Sequence, residues 1–213
     1  SFDPWAGHTW AHGFGTFAEG NNIESSSEAL QSWLGGYLWA LNIGDAELRD
    51  AAIYGFVSEL NSAKTYMFDY SEEIFPPKYS EYASVAGMIW GGKYDYATWF
   101  GANPEFIHGI NMLPITSGSL YLGRHPEYVK ANYDEIVKEL NGKLTVWQDV
   151  IWEYLALSDP NLALSLFYAD NDYEEFDGES RAHTVHGLNN LKNKIIRKYV
   201  HKLNIVTIWN KSW

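Results

Sequence analysis

The stretch SSSEALQSWLGGYLWALNIG (residues 25–44), followed directly by DAELRDAAIYGFVSELNSAKTYM (residues 45–67), decides the fold class of this chain. Gly44 is suited to end a first helix, and Asp45 is suited to cap a second. In both halves apolar residues recur at the spacing of one helical face: Leu30, Trp33, Leu34, Tyr37, Leu38, Leu41, and then Leu48, Ala52, Phe56, Leu60, Ala63, Met67. The spacing therefore predicts a helical hairpin with a short turn.

Helical spacing returns in the second half of the chain, after a long stretch that lacks it. Residues 71–114 are rich in glycine, proline and aromatic residues. This composition is typical of loops that either build a site or cover the core. Further helices are predicted over residues 117–122, 126–140, 146–157, 159–166 and 182–191. Because no strand pattern competes with these helices, the sequence predicts a mainly α protein built of paired helices.

The composition limits the classes of partner. The formal net charge of -12 argues against binding to nucleic acid or to anionic membranes, and a neutral polymer is compatible with it. No apolar segment is long enough to span a bilayer. Cysteine is absent, which excludes disulfides and thiolate metal sites. Most of the 10 Trp, 15 Tyr and 10 Phe are expected in the core, although some could instead stack on sugar faces.

The charge distribution changes abruptly towards the C-terminus. All 27 acidic residues lie at or before Glu179, whereas basic residues continue to Lys211. This shift predicts one domain over residues 1–191 and a divergent basic tail over residues 192–213.

The segment GNNIESSSEAL (residues 20–30) carries the clearest candidate for acid–base chemistry. Glu24 and Glu28 are four residues apart and would share a face if both were helical. Two like charges one turn apart disfavour double ionisation, which separates their proton affinities as acid–base catalysis requires. A second interpretation applies to Glu28, because Ser25-x-x-Glu28 also fits a capping box. An ordinary solvated acid is the alternative for Glu24.

Two other segments invite a metal-site interpretation that their spacing does not support. In DPWAGHTWAHG (residues 3–13), His8 and His12 are four apart, but Thr9 stands where zinc proteases carry glutamate. We expect Asp3, His8 and Trp10 to line a polar cleft instead. The acidic loop over residues 170–179 lacks the glycine and the final acid of a calcium-binding loop, so a solvated loop is the interpretation favoured there.

Several segments in this order resemble glycoside hydrolase family 81: DPWAGHTWAHG, GNNIESSSEAL, IWGGKYDYATWFGANPEFIHGINMLPIT, SLYLG and DGESRAHT. The resemblance covers roughly residues 3–191. It implies an (α/α)6 barrel that hydrolyses internal β-1,3-glucosidic bonds with inversion, outside the cell, and without a metal or organic cofactor. It also implies that Glu24 is the general base and that Glu28 is its partner glutamate. The expected partner is therefore a β-1,3-glucan.

The resemblance also implies an incomplete barrel. The general acid of the family is an aspartate in a segment that would precede Asp3, and the first barrel helices would precede it too. We therefore expect this chain to be weakly active or inactive alone, and its partners to include the missing N-terminal part of the same enzyme. Asp3 is the one acid in a matched segment that could replace the missing one. After DGESRAHT the chain departs from the family pattern, which is a further reason to treat the tail as divergent.

The matched segments supply the remaining candidates for the cleft. The predicted substrate-binding residues are Asp3, His8, Trp10, Trp90, Trp99, His108, Asn111 and Glu179. For each ring the alternative is packing, and for His108 it is a hydrogen-bonded core histidine. Two other functions stay open: a glucan-binding module without catalysis, and a lyase of similar fold. The matched segments are poor in the Arg and Lys that uronic-acid lyases use, which disfavours the lyase.

Overall fold

The computed structural model of the chain describes residues 1–12, 17–176 and 178–193, and it is mostly helical with a few short strands. The mainly α prediction is therefore confirmed. The chain divides into two compact units, Ser1–Pro114 and Ile115 onward. The predicted tail, residues 192–213, lies outside the described residues beyond Asn193. No described helix is both long enough and apolar enough to cross a membrane.

The first unit is built around the predicted hairpin, whose helices are α1 (Ser26–Ile43) and α2 (Ala46–Ser62). Gly44 ends α1 in the left-handed conformation (φ 75°), and the Asp45 side chain accepts a hydrogen bond from the Leu48 amide at 3.0 Å. Both predicted boundary residues are confirmed. A five-residue π-helical turn, Ala63–Met67, continues α2.

The two helices pack closely where a glycine meets a tryptophan. A Cβ atom at Gly55 would lie 2.4 Å from the Trp33 ring, so only glycine fits there. The apolar face predicted for α1 is buried over only part of its length, however. Leu30 is buried, but Leu38 is 56% and Leu41 is 52% exposed. The end of α1 therefore presents an apolar surface to solvent.

Short strands, which the sequence did not predict, organise the rest of the first unit. Strands β1 (Phe2–Asp3) and β2 (His8–Thr9) form an antiparallel pair. A separate antiparallel sheet has the order β3 (Asn22–Glu24), β4 (Met88–Trp90) and β5 (Tyr94–Asp95). Because Glu24 pairs with Met88, this sheet brings the loop-rich region 71–114 to the start of α1. That region also contains two short helices, α3 (Pro77–Ser80) and α4 (Pro104–Gly109).

The second unit consists of paired helices, as predicted. It contains a 3-10 helix over Ser117–Arg124, then α5 (Pro126–Glu139), α6 (Gln148–Ala156), α7 (Pro160–Ala169) and α8 (Arg181–Lys192). Every residue of α6 is buried, and α6 packs against α5, α7 and α8. This helix is the core of the unit, so its two acids, Asp149 and Glu153, are buried with it.

Candidate active site around Glu24

Glu24 lies where a strand turns sharply into a helix. It is the last residue of β3, and Ser25 then adopts a left-handed backbone (φ 61°, ψ 53°) before α1 begins at Ser26. A non-glycine residue in this conformation is strained and persists only where its surroundings enforce it. Glu24 is therefore not helical, so the condition under which Glu24 and Glu28 would share a helical face is not met.

The start of α1 is fixed from outside the helix rather than by a capping box. The Ser25 side chain makes no capping hydrogen bond, so that interpretation of Ser25 and Glu28 is wrong. Instead the Oδ1 atom of Asn111 accepts hydrogen bonds from the Ser26 amide (3.0 Å) and hydroxyl (2.9 Å). The Ser27 hydroxyl donates to the carbonyls of Ile110 and Leu113. These buried contacts hold the helix start in place directly after Glu24.

The carboxylate of Glu24 is half-buried and accepts a hydrogen bond from the backbone. The amide of Trp99 donates to its Oε2 atom at 2.8 Å. Burial raises the pKa of Glu24 above its usual value, and the negative charge of Glu28 adds to the increase. The Trp99 amide and nearby His12 oppose it. A carboxylate with a raised pKa is a stronger proton acceptor than one in water, which suits a general base.

Glu28 differs from Glu24 in its environment. It occupies the first turn of α1 and its side chain is exposed. Its amide donates to the Ser25 carbonyl at 3.1 Å, an ordinary first-turn contact. Its chemical effect in this structure is electrostatic, through the pKa of Glu24.

A cluster of four rings, His12, Phe17, Trp90 and Trp99, adjoins Glu24. The centroid of the Trp99 ring lies 5.4 Å from Phe17, 5.6 Å from Trp90 and 5.7 Å from His12. Trp99 is 49% exposed, whereas Trp90 is buried and donates from Nε1 to Asp95 at 2.7 Å. The half-exposed Trp99 ring thus offers an apolar face beside a carboxylate, an arrangement that can bind a sugar.

Two rings of this cluster, His12 and Phe17, are not among the site residues predicted from the sequence. From the sequence, His12 is a candidate only for a zinc site, which the spacing does not support. The ring nitrogen Nδ1 lies 3.0 Å from the Oδ1 atom of Asn22, whose backbone carbonyl also accepts from the Ala11 amide at 2.8 Å. Its position within a matched segment was the available signal, but the pairing with β3 that brings it to Glu24 was not visible in the sequence.

Asp3, His8 and Trp10 lie together and make contacts with one another. Asp3 accepts hydrogen bonds from the amides of Trp5 and Ala6 and from Trp10 Nε1, the last at 3.0 Å. The Trp10 bond and those amides lower the pKa of Asp3. A carboxylate held ionised in this way is a poor proton donor, which argues against Asp3 as a substitute general acid. Burial lowers the pKa of His8, whose ring is 4.3 Å from that of Trp10.

His108 and Asn111 are both in the core, where a sugar cannot reach them. His108 is 0% exposed, and its Nε2 atom lies 2.9 Å from the Tyr96 hydroxyl. Asn111 is 1% exposed and donates to the carbonyls of Ala86 and Gly87, both at 3.1 Å. Asn111 thus connects the start of α1 to the strand region and positions Glu24 indirectly. For His108 the geometry is that of the core alternative.

Glu179 belongs to the second unit and has different neighbours. It directly precedes the N-cap Ser180 of α8 and lies near Asp149, Glu153 and His183. Burial, and then the charge of Asp149, raise the pKa of Glu179 to about 7, against the opposing effects of His183 and the Ile115 amide. Burial and the charges of Glu179 and Asp149 raise the pKa of Glu153 to about 9.

Comparisons with known proteins identify the same family that the sequence segments resemble. The sequence model of the glycosyl hydrolase family 81 C-terminal domain matches residues 1–185. A solved structure of a glycoside hydrolase family 81 protein from Clostridium thermocellum, a glutamate-to-alanine mutant, superposes with a TM-score of 0.84 at 41% identity. The match covers 90% of this chain and 26% of that one.

Curated relatives carry the name glucan endo-1,3-beta-D-glucosidase. The protein from Acetivibrio thermocellus is 42% identical over 90% of this chain, and the one from Thermobifida fusca is 43% identical over 90%. Glucan endo-1,3-beta-D-glucosidase 2 from Saccharomyces cerevisiae is 33% identical over 78%. This chain spans about a quarter of the length of the two bacterial relatives, 24% and 25% respectively. The chain belongs to glycosyl hydrolase family 81, and it corresponds to the C-terminal domain of that family.

Proposed function

We propose that this chain is the base-bearing part of an endo-acting β-1,3-glucanase, which hydrolyses internal bonds of extracellular or cell-wall β-glucan with inversion. The observation that carries the proposal is the half-buried carboxylate of Glu24, held by the Trp99 amide beside an exposed aromatic face. The names of the relatives supply the substrate class.

In the proposed mechanism, Glu24 removes a proton from a water molecule that attacks the anomeric carbon. Its raised pKa favours proton uptake, while the Trp99 amide orients the carboxylate. In inverting enzymes the acid and base carboxyl groups are roughly 6.5–9.5 Å apart, which leaves room for the water. Glu28 has the role of a partner that tunes Glu24 or positions the water.

The general acid is assigned to a segment that precedes this chain in the complete enzyme. Asp3 does not fit that role, because its hydrogen bonds favour the ionised form. We further propose that residues 1–191 are part of an (α/α)6 barrel, in which helices of the preceding part cover the exposed end of α1. The exposure of Leu38, Trp39 and Leu41 supports such a neighbour. On this view the isolated chain is weakly active or inactive.

A chimera tests the catalytic assignment. Residues 1–185 would replace the matching part of the Acetivibrio thermocellus relative, and hydrolysis of laminarin would be measured with and without Glu24→Gln. Loss of a general base typically lowers the rate by roughly 10²–10⁴-fold, and we expect a decrease of that size. Glu47→Gln, an exposed acid in the first turn of α2, is the matched control.

The chimera also separates the enzyme from a glucan-binding module. If an active chimera hydrolyses laminarin at an unchanged rate after Glu24→Gln, the base assignment is wrong. If the chimera binds laminarin without hydrolysing it, while the unmodified relative is active, the binding module is the better description.

Proton NMR of the first product should show inversion at the anomeric carbon.

A further inference from the structure

Three side chains of the second unit converge on one point at the junction of α6 and α8. They are Glu153 in α6, Glu179 just before α8, and His183 in its first turn. One ligand atom from each lies within 4.8 Å of the others, and His183 Nε2 is 3.8 Å from Glu153 Oε2. The spacing Glu179-x-x-x-His183 brings two of the donors together from one short segment, with Glu153 facing them from another helix.

Glu153 is the strongest sign that this point binds something. Its side chain is 1% exposed, and neither carboxylate oxygen has a hydrogen-bond partner among the residues that the structure describes. A Cβ atom at Gly187 would lie 2.9 Å from its Oε1 atom, so the glycine leaves the room that the carboxylate occupies beside α8. A buried carboxyl group without a partner is costly, and buried charges are normally paired or bound to a metal.

The charges around this point favour a cation. Asp149 is fully buried on α6, and its own oxygens accept from the amides of Val150 and Phe176, so it adds negative charge without being free to bind. The positive charge of Arg181 is engaged with a ring, because its guanidinium lies over Phe167 at 4.5 Å from the ring centroid. Within the described part of the chain, His183 is the only ion-pair partner of Glu153.

We propose that Glu153, Glu179 and His183 form a binding site for a divalent transition-metal ion, best matched by Zn²⁺. One imidazole nitrogen and two carboxylate oxygens suit zinc, whereas Ca²⁺ and Mg²⁺ prefer oxygen ligands alone. Two ligands of a tetrahedral zinc ion at roughly 2.0–2.1 Å lie about 3.3–3.4 Å apart. The 3.8 Å between His183 Nε2 and Glu153 Oε2 therefore has to shorten by only about half an ångström when the ion binds. The site goes beyond the glucanase proposal, and the family resemblance implies no metal.

Binding has one structural requirement and one evident consequence. His183 Nε2 also lies 3.1 Å from the carbonyl of Ile115, so a metal-bound ring must carry its proton on Nδ1 and give up that contact. The exposed His183 provides the route of entry, with Glu153 at the closed end. A bound ion ties the start of α8 to α6, which stabilises the second unit.

Zinc binding by the complete 213-residue chain tests the proposal directly. The protein would be produced without a histidine tag, stripped with a chelator, and titrated with ZnCl2 in a calorimeter. We expect one Zn²⁺ per chain and a rise in the unfolding temperature. CaCl2 and MgCl2 are the comparison ions and should bind at least tenfold more weakly. The absence of zinc binding, or tighter binding of Ca²⁺ or Mg²⁺, would overturn the assignment.

Variants of single side chains test where on the chain the zinc ion binds. His183→Ala should weaken zinc binding by at least about tenfold, since losing even an outer-shell partner of a metal ligand costs roughly 10–100-fold. His186→Ala removes another exposed histidine of α8, whose ring contacts Asn190, and should leave the affinity unchanged. Glu153→Gln changes the buried ligand of the site and should also weaken zinc binding. Unchanged zinc affinity in His183→Ala, with the circular dichroism of the folded chain preserved, would show that the ion binds elsewhere.

Discussion

Glu24 and Glu153 are two acids whose pKa is raised mainly by burial, yet their surroundings differ in kind. Glu24 is half-buried, accepts one amide hydrogen bond, and adjoins a half-exposed tryptophan ring. Glu153 is fully buried, and its oxygens have no hydrogen-bond partner within the described ranges of the chain. The environment of Glu24 raises its pKa but leaves the carboxylate able to react. The environment of Glu153 leaves a group that is stable only when protonated or bound to a cation.

The difference shows what distinguishes a raised pKa at a reactive site from one in a core. At Glu24 a donor amide and His12 limit the effect of burial, and Glu28 adds to it, so several neighbours set the final value. At Glu153 the nearby charges of Glu179 and Asp149 act in the same direction as burial. Variants that change one neighbour at a time can therefore test whether the two environments differ in this way.

The largest effect on stability is expected at Asn111, which secures the helix start behind Glu24. Asn111→Ala leaves the Ser26 amide and the carbonyls of Ala86 and Gly87 without their partner. Each buried unpaired group costs about 1–3 kcal/mol, so for these three groups we expect a loss of at least about 3 kcal/mol in urea unfolding. Asn42→Ala, at an exposed position in α1, should stay within about 0.5 kcal/mol. A loss at Asn111 no larger than the control would show that the contacts are dispensable.

The next effect concerns Glu153 and the pH dependence of stability. The pKa of Glu153 is about 9 in the folded chain and near 4.5 in the unfolded chain, so the folded state binds more protons between these values. The free energy of unfolding should therefore fall as pH rises from about 4.5 towards 9. Glu153→Gln removes this proton uptake and, with a chelator present, should raise stability at pH 8 by on the order of a few kcal/mol.

The control is the same comparison of Glu153→Gln with the unchanged chain at a lower pH. At pH 5 the stabilisation from Glu153→Gln should be much smaller, because Glu153 is then close to its unfolded pKa and little extra proton uptake is needed. Equal stabilisation at pH 5 and pH 8 would mean that the substitution acts through packing rather than through protonation.

The two environments also differ in how far the sequence could predict them. Periodicity and the boundary residues Gly44 and Asp45 predicted the hairpin, because helices are local structures whose signals lie within a few residues. The sheet that orients Glu24 has strands of two or three residues, too short for an alternating pattern. The contact between Glu24 and the Trp99 amide spans 75 positions, a pairing that no local pattern specifies.

The burial of individual side chains is also not specified by local sequence. Asn111 and His108 lie in matched segments, and those segments do not distinguish a side chain that faces a cleft from one that holds the core. Likewise, Ser25-x-x-Glu28 has the residues of a capping box, but Ser25 adopts a left-handed backbone that removes it. Tertiary contacts of Ser26 with Asn111 prevail there over a local preference worth about 1 kcal/mol.

A smaller effect is expected at Trp99, and it concerns binding rather than folding. Trp99→Ala removes the half-exposed ring but keeps the backbone amide that donates to Glu24. We expect oligosaccharide affinity to fall roughly five- to tenfold, or about 1–1.4 kcal/mol. Stability should fall by less than about 1 kcal/mol, since the ring is half in water. Titration with laminari-oligosaccharides measures the first and urea unfolding the second.

Trp39→Ala is the matched control for Trp99. Trp39 is 59% exposed on α1 and is not part of the ring cluster beside Glu24. Its loss should leave oligosaccharide affinity unchanged. If Trp99→Ala unfolds the chain, or if both variants weaken binding equally, Trp99 is a packing residue and the sugar-binding role proposed for it is wrong.

The smallest effect, and the most specific, is a pair of opposite shifts at Glu24. The charge of Glu28 raises the pKa of Glu24, so Glu28→Gln should lower it, whereas protonated His12 lowers that pKa, so His12→Gln should raise it. NMR titration of the Glu24 carboxyl carbon measures both shifts without any need for activity. Glu47→Gln, on α2, should leave the titration unchanged. Shifts of the same sign would show that these substitutions move the carboxylate itself, in which case burial alone, and not the charges of its two neighbours, sets the proton affinity of Glu24.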